Sequence, residues 1–210
     1  MLETIDLECQ RGERLLFTAL AVSVEAGTCL HVAGENGAGK TSLQRILCGL
    51  LAPTQGEVRW GGRDIRRLRE DYWQLLAYVG HLNGVKDDLT AIENVRFAAA
   101  LAGHPSGEEA ALHALESVGL AGFEGSQARF LSQGQRRRIA LARLYLAREA
   151  KLWVLDEPFT ALDVRGVASL ATLIGEQLGR GGIVVLTTHQ DVPVPGRIQR
   201  LDLRPAPALH

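Results

Sequence analysis

Residues 34–41 read Gly-Glu-Asn-Gly-Ala-Gly-Lys-Thr, which fits the pattern GxxxxGK[ST]. Glycines at Gly34, Gly37 and Gly39 let the backbone curl, so that N–H groups from Gly34, Glu35, Asn36, Gly37, Ala38 and Gly39 can converge on phosphate oxygens. Lys40 is placed to reach the β- and γ-phosphates and Thr41 to ligate Mg²⁺, with Ser42 beside them as a further nucleotide contact. A helix that begins here would set about half a positive charge behind the phosphates. Far downstream, Leu152-Trp153-Val154-Leu155 is an apolar strand that ends in Asp156 and Glu157. Emergence from a strand end brings both acids toward such a loop in a doubly wound sheet. Asp156 is expected to hold Mg²⁺, usually through water. Glu157 is expected to orient and deprotonate an attacking water. Phosphoryl transfer needs little covalent help, so positioning and charge neutralisation supply most of the catalysis. The cofactors implied are ATP and Mg²⁺.

A second phosphate-binding device lies between these two. Leu131-Ser132-Gln133-Gly134-Gln135 precedes a helical stretch, Arg136 to Arg148, and a Ser-x-Gly at a helix start offers a hydroxyl, a flexible backbone and a dipole. The segment resembles the LSGGQ signature of ABC ATPases. That resemblance implies that Ser132, Gly134 and Gln135 cap the γ-phosphate of ATP held by a second protomer. It also implies an interface loop at Ala161-Leu162-Asp163 and a switch histidine at His189 that contacts the γ-phosphate. Two positions depart from the family pattern. Counting back from the phosphate loop puts Arg11 where an aromatic residue usually stacks on adenine. A guanidinium plane can stack on a purine, and Arg11 could equally be a solvated hairpin residue. His81 stands where glutamine usually contacts Mg²⁺ and water, with Asn83 close enough to compete for that role.

Several elements must position these groups. Short runs from Leu2 to Val32, broken by Gly12 and Gly27, read as antiparallel strands, and Leu30 to Ala33 as a buried strand that runs into the phosphate loop. Thr41 to Leu50 has apolar residues at helical spacing, Pro53 to Gly56 reads as a turn and Glu57 to Trp60 as a strand. Alanine, leucine and glutamate dominate residues 85–148, which reads as a helical subdomain. Lys151 to Leu155 and Ile183 to Leu186 are apolar runs of the parallel-sheet type. The expectation is an α/β P-loop ABC ATPase fold with a parallel sheet core, an antiparallel N-terminal β subdomain and a helical subdomain. It forms one domain over 1–204, with a core of 1–84 and 149–204, and a loose tail at 205–210.

Bulk properties exclude some functions. The 210 residues carry 23 Lys and Arg against 24 Asp and Glu, so no broad basic footprint for nucleic acid is expected. The densest basic run, Arg136-Arg137-Arg138, reads as a solvated helix face. Cys9, Cys29 and Cys48 have neither disulfide nor zinc-ligand spacing and read as buried small apolar residues, which suits a reducing cytosol. No basic-then-apolar N-terminal segment reads as a signal peptide. The apolar run Phe97 to Ala102 is far shorter than the ~20 residues a bilayer requires.

Within the ABC ATPases the chain is most similar to the ATP-binding subunits of the haem exporter used in cytochrome c maturation. The stretches that carry this are Arg11 to Arg14, Gly80-His81, Lys86 to Asn94, Ala140 to Leu144, Glu157 to Ala161 and Gly181 to Gln190. Histidine at position 81 is itself a feature of that subfamily. The resemblance implies a homodimer on the cytoplasmic face of the bacterial inner membrane. It also implies integral membrane permease subunits B and C as partners, an indirect link to a haem chaperone, and neither nucleic acid nor a span of its own. No residue pattern for haem attachment is present. The alternatives are an ABC subunit for another cargo, a soluble ABC protein of translation or repair, and a non-hydrolysing assembly module. The second would carry two ATPase domains or a long coiled-coil insertion, and retention of Glu157 speaks against the third.

Overall fold

The computed structural model describes residues 1–103, 105–190 and 192–204, so the tail expected at 205–210 lies outside the described residues. In chain order the strands are β1 (Leu2–Arg11), β2 (Arg14–Val24), β3 (Thr28–Ala33), β4 (Gln55–Trp60), β5 (Arg63–Asp64), β6 (Leu76–Val79), β7 (Leu152–Asp156), β8 (Ile183–Thr187) and β9 (Arg197–Asp202). The helices are α1 (Lys40–Leu47), α2 (Ile65–Leu68), α3 (Glu70–Gln74), α4 (Ala91–Leu101), α5 (Glu108–Ser117), α6 (Gln133–Leu146) and α7 (Val164–Gly179).

Two sheets result. One is antiparallel, in the order β2-β1-β4-β5, and the other is parallel, in the order β6-β7-β8-β3-β9. Every residue of β7 and β8 is buried, as a strand covered on both faces demands, and their continuous apolar runs supply the side chains. One core lies against the antiparallel sheet and takes in Leu7, Val24, Leu30, Leu43 and Val154. A second core on the other side of the parallel sheet holds Trp153, Leu155, Leu141 and Ile174 from β7, α6 and α7. A third joins α4, α5 and α6 through Val95, Leu115 and Ile139.

The expected fold class is the one observed. Three local expectations differ. β3 does not join the antiparallel pair β1–β2 but runs parallel between β8 and β9, because Cys29, Leu30 and Val32 are buried with no alternation. Gln55 and Gly56, expected in a turn, open β4. The run Arg136 to Arg138 is not a solvated face, since Arg137 is only 4% exposed while Arg136 and Arg138 pair with Asp87 and Asp163. The three cysteines are free and buried as expected, and burial pushes the Cys29 thiol up to about 12. No helix among the described residues is long and apolar enough to cross a membrane.

Candidate active site

β3, β7 and β8 run parallel, so the segments that leave their C-terminal ends meet in one crevice. The loop after β3 starts at Gly34, where a Cβ would stand 2.5 Å from the carbonyl oxygen of Leu203, so only glycine fits beneath the segment that follows β9. It closes at Gly39, which caps α1 in a left-handed conformation (φ +101) against the side chains of Leu16 and Phe17. Lys40 then folds back over the loop, and its Nζ donates to the carbonyls of Gly34 at 2.6 Å and Glu35 at 3.3 Å. That cation lies across the mouth of the curl of backbone amides.

Thr41 Oγ1 donates to Asp156 Oδ2 at 3.0 Å, which ties the first turn of α1 to the end of β7. Thr187, at the end of β8, donates to Asp156 Oδ1 at 2.8 Å and accepts from the Glu157 N–H at 3.0 Å. Glu157 itself sits at φ +49, a left-handed conformation rare for a residue with a side chain. Its Oε1 is buried and has no hydrogen-bond partner among the described residues. His189 Nε2 stands 3.5 Å from that oxygen. A buried carboxylate oxygen without a donor is costly unless something is meant to approach it.

A cavity of about 610 Å³ opens above these groups. Asn36, Gly37, Gly39, Lys40, Thr41 and Ser42 line it from the loop, and His81, Asp156, Glu157 and His189 from the strand ends. Gly34, Glu35 and Ala38 do not line it, and Ala38 is fully buried. The volume suits a drug-sized or nucleotide-sized ligand. The donor set suits Mg²⁺: one hydroxyl and one carboxylate side by side, with the remaining positions left for water and phosphate oxygens. Among the described residues no group of three or more His, Cys, Asp or Glu forms a closed metal cage.

Not every sequence-derived candidate gathers here. Arg11 is exposed at the end of β1 and does not line the cavity, whereas Arg14, its cross-strand partner on β2, does. The hairpin turn at Gly12-Glu13 carries the chain across, so counting back along the sequence stops one strand short. Ser132, Gly134 and Gln135 lie outside the cavity as well. They start α6 in a capping box: the Gln135 N–H donates to Ser132 Oγ at 3.2 Å, and Gln135 Oε1 accepts from the Ser132 N–H at 2.9 Å. Gly134 abuts the backbone of Ala161, whose carbonyl oxygen is 2.9 Å from where a Cβ would be. Asp163 caps α7 by accepting from the Gly166 N–H at 2.8 Å. His81 is exposed and borders both the large cavity and a neighbouring one lined by Asn83, Gln133 and Arg136.

Sequence reasoning missed three contributors. Thr187 falls just past the apolar run Ile183 to Leu186, Arg14 enters only in the stretch Arg11 to Arg14 that carries the resemblance, and Arg137 reads as part of a solvated face. A hydroxyl directly beside a strand-end acid on the neighbouring strand was the available signal for Thr187. Arg137 had none that local spacing could supply.

The match to known proteins covers most of the chain. The ABC transporter family model matches residues 17–160. A cytochrome c biogenesis ATP-binding export protein CcmA from Nitrosomonas europaea is 54% identical over 91% of this chain and 90% of its own length. A protein of the same name from Dechloromonas aromatica is 52% identical over 97% and 100%. Among solved structures, the ATP-binding cassette MJ0796, in a dimeric post-hydrolysis state bound to ADP and Pi, superposes with a TM-score of 0.82. It shares 25% identity, and 97% of each chain is covered. An ATP-binding subunit of an ABC transporter superposes at 0.80 with 26% identity, over 90% of this chain and 79% of that one.

Proposed function

Since the chain belongs to the ABC transporter family, among the CcmA cytochrome c biogenesis ATP-binding export proteins, we propose that it works as the ATP-hydrolysing half of a haem-handling membrane complex. The family makes it an ABC-type ATPase. The reading assigns one ATPase domain to 1–204, with residues 85–148 as its helical subdomain. The backbone at Asn36, Gly37, Gly39, Lys40 and Thr41, with the side chains of Lys40 and Ser42, holds the ATP phosphates. Thr41 and Asp156 would hold Mg²⁺, which would neutralise phosphate charge there. Glu157 takes the proton of the attacking water. His189 stands beside Glu157 to contact the γ-phosphate, and His81 or Asn83 orients water near the metal. The observation that carries this is the tie from Thr41 Oγ1 to Asp156 Oδ2 with the donor-free Glu157 Oε1 beside it.

Two copies are needed. Ser132, Gly134 and Gln135 lie outside their own chain's cavity, which supports a sandwich in which they cap ATP held by a second copy. The relatives are named export proteins and no described helix is long and apolar enough to cross a membrane, which supports a peripheral place on the cytoplasmic face of the inner membrane. The partners there are permease subunits B and C, and the haem chaperone is reached only through them. Arg11 keeps its place as an adenine contact only if the β1–β2 hairpin moves on binding.

The test uses Glu157→Gln and Lys40→Ala in the intact complex. Loss of a general base typically costs ~10²–10⁴ in rate, so Glu157→Gln should bind ATP normally and turn over slower by about that factor. Lys40→Ala should weaken ATP binding itself. In cells, both variants should leave haem loading of the chaperone intact but block its release, so that haem-stained chaperone accumulates and mature cytochrome c is lost. Normal cytochrome c with a dead ATPase would refute the haem assignment and leave the ATPase assignment standing.

A further inference from the structure

Arg137 lies in the second turn of α6, 4% exposed, with no carboxylate hydrogen-bonded to it. Its fork reaches from α6 to two other segments, the 80–83 loop and the end of β7. Nη1 donates to the Gly80 carbonyl at 2.9 Å and to Asn83 Oδ1 at 3.1 Å. Nη2 donates to the carbonyls of Asp156 and Glu157, both at 2.8 Å. Its Nε is buried without a partner. Arg143, two turns further along α6, donates from Nη2 to the Asn83 carbonyl at 3.2 Å.

A buried guanidinium with one donor unused is a poor choice for stability alone. Burial presses the Arg137 cation toward its neutral form, against which the charges of Asp156 and Glu157 hold it. One of the two carbonyls it holds at 2.8 Å belongs to the strained residue. Glu157 stays at φ +49 with its N–H held by Thr187 and its carbonyl by Arg137. The same planar fork holds the loop at 80–83, which carries His81 to the rim of the cavity.

We propose that Arg137 is a positioning residue that locks the α6 helix, the 80–83 loop and the backbone of Glu157 into one unit, so that a shift of α6 re-aims the Glu157 carboxylate. This rests on the reading of Glu157 as the general base. Arg137 touches neither nucleotide nor water; it acts through the acid. A lysine would keep the charge but offers no planar fork, so it cannot hold the loop and both carbonyls together.

The experiment compares full-length wild type, Arg137→Lys, Glu157→Gln and the double variant. The readouts are steady-state ATPase rate, and ATP affinity by titration with a fluorescent ATP analogue. Arg137→Lys should lose about tenfold or more in kcat, while its ATP Kd stays within about threefold, because the phosphate-binding amides lie elsewhere. In the Glu157→Gln background the same substitution should cost nothing further, since a positioning residue has nothing left to position. A wild-type kcat, an affinity loss as large as the rate loss, or an additive loss in the double variant would each overturn the proposal. A normal rate for Glu157→Gln alone overturns the general-base reading instead, whatever Arg137→Lys does. If circular dichroism shows that Arg137→Lys does not fold, Arg137→Gln takes its place, because its neutral amide fits the buried site and keeps at most one of the ties. A kcat loss that vanishes in the Glu157→Gln background supports the clamp, and an unchanged kcat overturns it.

Discussion

His81 is exposed on the rim of the cavity that Asp156 and Glu157 close from below. An imidazole there can orient water or approach a metal, and a methyl group can do neither. His81→Ala should therefore lower kcat by about tenfold or more while the ATP Kd stays within about threefold. An unchanged kcat would shift the role to Asn83, whose side chain Arg137 already holds. At this scale the sequence was most legible where chemistry demands a fixed type at a fixed spacing. Lys40, Thr41, Asp156 and Glu157, singled out by motif and spacing, are brought by the fold to one cavity. Arg14 and Arg137 were not so singled out. An arginine earns a buried place through partners distant in sequence, such as Gly80 and Glu157, and nothing in the run Arg136 to Arg138 tells the inward residue from its two neighbours.

Elements explain why so short a loop holds its shape. Gly39 ends the phosphate loop against β2, where a Cβ would lie 3.1 Å from Leu16 Cβ and 3.2 Å from Phe17 Cδ1, at φ +101. Gly37 has φ +80 but faces only the flexible end of Arg14 at 3.5 Å. A left-handed alanine costs roughly 1–2 kcal/mol, and overpacking adds about 1–3. Gly39→Ala should thus destabilise by more than Gly37→Ala. Each kcal/mol lowers Tm by about 2–4 °C at this chain length, so a melting series separates them. Equal Tm values would mean that the contact with β2 yields freely. β7 and β8 were legible as buried apolar runs. β9 was not. Its residues Arg-Ile-Gln-Arg-Leu-Asp are mostly exposed, and it becomes a strand by pairing along the whole of β3. The side of β3 also escaped local reading, since a doubly buried strand carries no alternation to mark its neighbours.

For the whole molecule the decisive geometry is the distance between two devices on one chain. The phosphate loop lines the cavity and the Ser132–Gln135 segment does not. A Ser132→Arg chain should consequently bind ATP with wild-type affinity as a monomer, yet fail to dimerise when ATP is added. Light scattering in the Glu157→Gln background, where a formed dimer cannot discharge its ATP, makes the difference visible. Weaker ATP binding by monomeric Ser132→Arg would mean that the segment serves its own chain's nucleotide. The same separation bears on gene dosage. On the proposed reading, a copy that finds no second copy would hold ATP under an open roof, with Glu157 in place and no lid to complete the reaction. Surplus subunits, made beyond what the membrane partners can recruit and pair, would carry nucleotide without consuming it, and ATP consumption by the system would track assembled complexes rather than subunits synthesised.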